Sequence, residues 1–294
     1  MNPDFAALSS QCLARLAEAD FVLIGAGAGL SAAAGIDYTD PVRFAQHFPR
    51  LAARGFRTNY ELMGYANWSP AVQWGYLARH VQFVYYDNQR NPVYQHLCQL
   101  VVGKNVFVMT SNVDGMFLKN GFDPAKFFSP QGSYARLQCM RPCSQDTWDI
   151  RPALDKLLAA LDPVTHEITD PAAIPHCPHC GGEVFMNVRG GGWFVEAPYQ
   201  AERQRWAAWV QGTLAGKLVC LELGVGFNTP SVIRWPLEQL TQQHPRATLL
   251  RVNRDHPQVP RELASRALAV AAPLDQVLAA WTAQAAPAPS LPTT

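Results

Sequence analysis

Charge is scarce in this sequence. Asp, Glu, Lys and Arg make up 16% of its 294 residues, against about 25% in an average globular domain. Net charge is nearly absent as well, since 24 Lys and Arg against 23 Asp and Glu leave +1. That balance gives no support to a strongly basic nucleic-acid binder or a polybasic membrane-surface protein, so neither nucleic acid nor membrane is expected as a partner. No apolar run approaches the roughly 18 residues of a membrane helix. The opening MNPDFAALSSQC lacks the basic start and apolar core of a signal peptide, so the expected location is cytoplasmic. Internal repeats are missing too. What is plentiful is hydrophobic residues, 48% of the chain, enough for a sizeable core. The length suits roughly two domains of about 150 residues, or one large domain with an insertion.

Seven cysteines are present, an odd number in a chain without an export signal, which argues against a disulfide framework. Cys12, Cys98 and Cys220 lie in apolar stretches and read as buried small hydrophobes rather than nucleophiles. The other four pair locally, Cys139 with Cys143 and Cys177 with Cys180. C-x3-C followed by CPHCGG resembles a zinc ribbon, in which thiolates on two turns bind Zn²⁺ tetrahedrally. The glycines of CPHCGG release the turn that aims both sulfurs inward. His176 and His179 are alternative ligands, but four cysteines already close the site. A closed four-thiolate site leaves no position for water, so this zinc is expected to be structural.

Leu8, Cys12 and Leu16 fall at helical spacing within residues 5 to 19. FVLIGAGAG reads as a buried strand ending in a tight loop, and NVFVMTSNVD, from about 105 to 114, as a second strand. AVQWGYLARHVQFVYY, ALDKLLAAL, residues 198 to 213 and LDQVLAAWTAQ read as helices. EVFMNV alternates like a strand and runs into RGGGWFVE; KLVCLELGVG, residues 246 to 253 and residues 266 to 270 read as three more strands. This alternation predicts an α/β fold with a parallel sheet. Residues 115 to 200 break the rhythm and read as an inserted small module, and the Pro-rich APAPSLPTT as a disordered tail. The aromatic-rich stretch from Tyr60 to Tyr94 fits a packed helical module better than a substrate groove.

Three segments could carry chemistry. In GAGAGLSAAAGIDYTD, Gly25, Gly27 and Gly29 follow a strand and open a helix. Such glycines let backbone approach a pyrophosphate at a helix N-terminus, with Ser31 adding a hydroxyl; the alternative is a tight turn with no ligand. No acidic residue follows at a second strand end in the usual Rossmann manner, so an ordinary dehydrogenase fits poorly. In TSNVDG, Asn112 and Asp114 alternate at a strand end, facing a pocket or merely closing an Asx-turn. LELGVG, with Gly224 and Gly226, and LLRVN, with Asn253, are further strand ends suited to a phosphate or ribose. Arg189, before the Gly190–Gly192 run, faces either a pocket or a surface acid.

Taken in order, GAGLSAAAGI, TSNVD, the four cysteines, LELGVG and LLRVN resemble the sirtuin (Sir2) family of NAD-dependent enzymes over about residues 20 to 280. The resemblance implies one catalytic domain over 1–285, with 286–294 as tail. Its large Rossmann-like part would take about 1–40, 99–135 and 214–285, its helical module 41–98 and its zinc module 136–200, with NAD in the cleft between. It also implies a cofactor loop formed by Gly25, Ala26, Gly27, Gly29, Ser31, Gly35 and Asp37, joined by Gly224, Gly226 and Asn253. Ser31 would contact phosphate and Asn253 the adenosine ribose; Asn112 would position ribose and water, and Asp114 the nicotinamide amide.

Two departures redirect the expected chemistry. Deacylating sirtuins carry His-Gly after the Asn-x-Asp motif, whereas here FFSPQGSY places Gln131 before Gly132. An amide cannot act as a general base near neutral pH. The family's Pro-Asp-Phe-Arg stretch is replaced by Asp37-Tyr38-Thr39-Asp40, removing the usual Phe from the nicotinamide side. With RGGGWFVE, these features resemble the macrodomain-linked class M sirtuins. That resemblance implies protein ADP-ribosylation of a lipoylated, glycine-cleavage H-like carrier, a macrodomain partner, and catalytic roles for Asn112, Asp114, Gln131 and Arg189. A lysine deacylase with a substitute base is the alternative; an NAD hydrolase or a non-catalytic NAD or ADP-ribose sensor are further ones. His80, His96 and His166 lie in no motif that places them at the ribose.

Overall fold

The computed structural model describes residues 3–62, 65 and 67–285. Among them, nine strands run in chain order: β1 (Phe21–Ala26), β2 (Asn105–Thr110), β3 (Phe127–Phe128), β4 (Gly132–Cys139), β5 (Trp148–Asp149), β6 (Val184–Val188), β7 (Leu218–Leu223), β8 (Ala247–Val252) and β9 (Ala267–Val270). The helices are α1 (Pro3–Glu18), α2 (Ala28–Ala33), α3 (Pro41–His47), α4 (Pro49–Ala53), α5 (Asn59–Leu62), α6 (Pro70–Val81), α7 (Pro92–Leu100), α8 (Met116–Lys119), α9 (Arg151–Ala159), α10 (Gln200–Gly212), α11 (Arg234–Gln243) and α12 (Leu274–Gln284). None is long and apolar enough to cross a membrane.

Six strands form a parallel sheet in the order β3-β2-β1-β7-β8-β9. Their apolar runs are buried because helices cover both faces, as parallel sheets require. On one face Val22, Ile24, Leu221 and Val252 pack with Cys12, Leu16, Tyr94, Leu97 and Trp281 from α1, α7 and α12. On the other, Leu23, Phe107, Cys220 and Leu249 pack with Ile233, Leu237, Trp206 and Trp209 around α10 and α11. Cys12 and Cys220 are fully buried, as the sequence predicts, and burial pushes both thiols up to about 12. Cys98 differs: it is only half-buried, at the edge of the first cluster. The predicted tail, 286–294, lies outside the described residues.

Two insertions leave this sheet. After α2 the chain builds α3 to α6, and the starts of α3 and α6 follow simple capping chemistry. Asp40 and Ser69 accept backbone N–H bonds ahead of Pro41 and Pro70, and Asn91 does the same for α7. α6 runs on into a π-helical turn over 82–87. The second insertion is a three-stranded antiparallel sheet, β5-β4-β6, with α9 packed on α6. Gly75 lets the turn that follows α9 close onto α6 as well: a Cβ there would lie 1.9 Å from the His166 carbonyl. β4 has no counterpart among the sequence-predicted strands, because Gly132, Ser133, Arg136 and Gln138 interrupt its apolar pattern. It is held instead by pairing with β6, the predicted EVFMNV strand.

Candidate active site

The strand order reverses beside β1, which has β2 on one side and β7 on the other. In open α/β sheets the crevice forms outside the carboxyl ends at such a point. Here it is a cleft of about 1250 Å³ walled by the turns after β1, β2, β7 and β8, the helical insertion and the three-stranded sheet.

Gly27 and Gly29 line it, but their lack of a side chain is set by the neighbouring turn. A Cβ on Gly27 would meet the Gly224 carbonyl at 2.9 Å, and one on Gly29 the Gly224 Cα at 2.8 Å. The Gly29 N–H donates to the Gly224 carbonyl at 2.9 Å, so the β1 and β7 turns are welded backbone to backbone. Gly224 is itself left-handed at φ +61°. Gly226 and Asp37 also line the cleft, Asp37 folding its own turn by accepting from Thr39 N–H and Oγ1. Gly25, Ala26 and Gly35 stand behind the wall. Gly25 is fitted against Leu237 and Ile233 of the α11 layer, and Ala26 accepts from Thr110 and Ser111 through its carbonyl. Gly35 turns at φ +90° and accepts from Arg43.

Beyond β2, Asn112 and Asp114 converge on the same space. The Asn112 side-chain amide donates to the Gly27 carbonyl at 3.0 Å. Asp114, 2% exposed, accepts from Ser31 Oγ at 2.5 Å and from the Met116 N–H at 3.0 Å. Burial holds its carboxyl above the usual range, although these donors oppose the shift. Ser31 therefore serves Asp114 in this structure. The next turn brings Gln131: Ser129 Oγ donates to the Gly132 carbonyl at 2.8 Å and lies 3.4 Å from the Asn112 carbonyl, pinning the two motifs together. Gln131 Oε1 is buried in the cleft wall without a protein partner. Its backbone carbonyl accepts from the Arg189 N–H. Arg189 both lines the cleft and pairs with Glu196 at 2.8 Å, its guanidinium lying over Phe194.

Asn253 reaches the cleft rim, with its side chain folded onto the protein. Its Nδ2 donates to the Val225 carbonyl at 2.9 Å, and its Oδ1 accepts from the Asp255 and His256 N–H groups. The opposite wall is aromatic. Tyr60, Tyr65, Trp68 and Tyr76 line it, so the aromatic stretch is at once a packed module and a cleft wall. His80 lies there too, 3% exposed, between the Tyr76 and Tyr38 rings, with Nε2 3.3 Å from Tyr134 Oη. Burial lowers its pKa to about 4, so it is neutral near pH 7. Its sequence context gave no hint of this position, because α6 carries it to the cleft through tertiary packing.

At the far end of β4 and β6, the sulfurs of Cys139, Cys143, Cys177 and Cys180 all lie within 4.8 Å of one another. The pairs Cys139–Cys180 and Cys143–Cys177 are 3.7 and 3.6 Å apart. Tetrahedral zinc with Zn–S near 2.3 Å requires sulfurs about 3.8 Å apart, so the cluster could hold a structural zinc. Burial raises the Cys177 thiol, but the N–H groups of Cys180 and His179 and the facing Cys143 outweigh it and bring the pKa to about 6. His179 instead turns outward to Asp146, 3.1 Å away.

The chain is 28% identical over 257 residues to a "Protein ADP-ribosyltransferase" of Staphylococcus aureus, covering 85% of this chain and 79% of that one. It is 42% identical over 245 residues to a "Probable bifunctional ADP-ribose hydrolase/ADP-ribosyltransferase" of Fusarium oxysporum f. sp. cubense, covering 81% of this chain. It spans 41% of the length of that Fusarium protein. No family model matches. Among solved structures, a Sir2 homologue–NAD complex superimposes with a TM-score of 0.60 at 16% identity, over 93% of this chain and 92% of that one. Sir2Tm bound to a propionylated peptide gives 0.54 at 17% identity, over 92% and 95%. The chain has the sirtuin fold. In that fold the parallel sheet is the large Rossmann-like layer, and the four-cysteine sheet and aromatic helices form the smaller side of the cleft.

Proposed function

We propose that this protein is an NAD-dependent protein ADP-ribosyltransferase. The observation that carries the reading is Gln131: it lines the cleft with Asn112 and Asp114, its side-chain carbonyl oxygen is buried without a protein partner, and an amide can hold a hydroxyl but cannot take its proton. When bound, NAD supplies a labile bond between ribose C1′ and nicotinamide; nicotinamide leaves with that electron pair, the acceptor's lone pair forms the new bond to C1′, and the acceptor's proton passes to solvent. The glycine turns at 27–29 and 224–226 would seat the pyrophosphate. Asp114 would hold the nicotinamide amide, and Asn112 and Gln131 would fix the ribose. Arg189, tied to Gln131 through the backbone, would shape the acceptor side. Zinc at the four cysteines would keep β4, and with it the Gln131 turn, in place.

The acceptor is a protein. On the resemblance to macrodomain-linked sirtuins it is a lipoylated carrier, and the aromatic wall offers an apolar arm a path to the ribose. The bifunctional name of the Fusarium relative supports pairing with an ADP-ribose hydrolase, the place the resemblance gives to a macrodomain partner. A lysine deacylase is the second reading, favoured by His80 in the same cleft. Against it, a neutral imidazole with a pKa of about 4 is a weak base, and it is engaged with Tyr134.

The test is incubation with adenosine-labelled NAD, an acetyl-lysine peptide and a lipoylated glycine-cleavage H-type carrier. Label on the carrier, lost in Asn112→Ala, is the expected result. O-acetyl-ADP-ribose as the dominant product would establish the deacylase instead, and free ADP-ribose without labelled protein a hydrolase.

A further inference from the structure

Four charged side chains sit behind the cleft rim, in a place where charge is costly. Glu222 lies one residue before the carboxyl end of the central strand β7 at 0% exposure, and Arg251 at the matching place in β8 at 0%. Arg251 grips Glu222 with Nε and Nη2, both at 2.7 Å, and reaches Glu238 at 2.7 Å. Arg234, 2% exposed, completes the set from the first residue of α11, 3.4 Å from Glu222 and 3.7 Å from Glu238. A cation at a helix N-terminus opposes the macrodipole, and a buried ion cluster is seldom more stabilising than apolar packing. A placement that breaks both rules points to a role other than stability.

The contacts of Arg234 show what that role is. Its Nη1 donates to the Val225 carbonyl at 3.2 Å, the same oxygen that accepts from Asn253 Nδ2 at 2.9 Å. Both Nη atoms donate to the His256 carbonyl at 3.2 Å, and Nη2 to the Gln258 carbonyl at 2.8 Å. One guanidinium thus fastens the turn after β7 to the turn after β8. Gly224, Val225, Gly226, Asn253, Asp255 and His256 of these turns line the cleft. The geometry points to Arg234 as a positioning residue that holds these two turns in the spacing needed for the adenosine half of the dinucleotide. Asn253 works with it, closing the second turn onto Val225. The inference rests on the dinucleotide reading above and adds to it how the adenosine side is built.

Arg234→Lys keeps the charge and loses the planar fork that reaches three carbonyls. Should that variant fold poorly, the double variant Glu222→Gln/Arg234→Gln removes one positive and one negative charge together. ADP-ribose binding by calorimetry, steady-state nicotinamide release and thermal melting are measured on each. The expected result is a rise of about tenfold or more in the ADP-ribose Kd, the scale of losing one or more buried hydrogen bonds. The KM for NAD should rise in parallel, with kcat within about twofold of wild type. A lower melting temperature with unchanged Kd and KM would overturn the inference, as would a loss of kcat at constant KM. Wild-type protein that binds neither NAD nor ADP-ribose would instead overturn the dinucleotide reading itself.

Discussion

Gln131 and His80 stand in one cleft with different constraints. The amide offers a carbonyl oxygen with no protein partner, and the imidazole is enclosed by Tyr38, Tyr76 and Tyr134. Keeping His80 neutral links it to stability. Its folded pKa of about 4 lies below the ordinary 6.5, so the unfolded chain binds more protons between those values. Stability should therefore be intact above about pH 6.5 and fall as pH drops towards 4, by on the order of 3 kcal/mol from this group. Urea unfolding at several pH values should show a steeper acid loss in wild type than in His80→Gln. Equal slopes would mean that His80 is not held neutral by burial. The residues legible in the sequence were those in contiguous motifs: Asn112, Asp114 and Gln131 reach the cleft because a strand end or tight turn delivers them together. His80 and Arg234 were not legible, since nothing near them in sequence marks the packing that brings them to the site, and Glu222, although it lies in LELGVG, finds its Arg partners only through tertiary packing.

Among the elements, apolar strands announced themselves and polar ones did not. β1, β2, β7 and β8 are mainly hydrophobic runs, broken in β7 by Glu222 and in β8 by Arg251, because helices cover both faces of their sheet. β4 is half polar, and its Gly132, at φ +95°, must lie close to the Asn187 carbonyl of β6. Its strand character comes from its partner. The glycine turns were legible as turns, but their physical reason differs from the one the sequence suggested. At Gly29 the missing Cβ makes room for the Gly224 backbone. The four-cysteine end of β4 and β6 is the element most dependent on metal, because thiolates must be held together against their own repulsion. One zinc per chain is expected by elemental analysis. Cys177→Ser, or a strong chelator, should release it, lower the melting temperature by several degrees and slow nicotinamide release through disorder of the Gln131 turn. Retention of full activity after zinc loss would separate that sheet from the cleft.

For the whole molecule, the scarcity of charge fits a site built from backbone. Glycine turns and carbonyls form much of the rim, and the charges that brace it, buried Glu222, Arg234 and Arg251 with partly buried Glu238, are two Arg and two Glu, which cancel. A dinucleotide seated this way needs no basic surface, which is consistent with a net charge of +1. The sheet, its two insertions and the cleft between them form the frame, and the proposed transferase chemistry turns on Gln131 within it. The most direct measurement is the ratio of ADP-ribose bound to protein to nicotinamide released, with the lipoylated carrier as acceptor and no acylated peptide present. A transferase gives a ratio close to one. A ratio near zero, or nicotinamide release that appears only when an acetyl-lysine peptide is added, would contradict the transferase function.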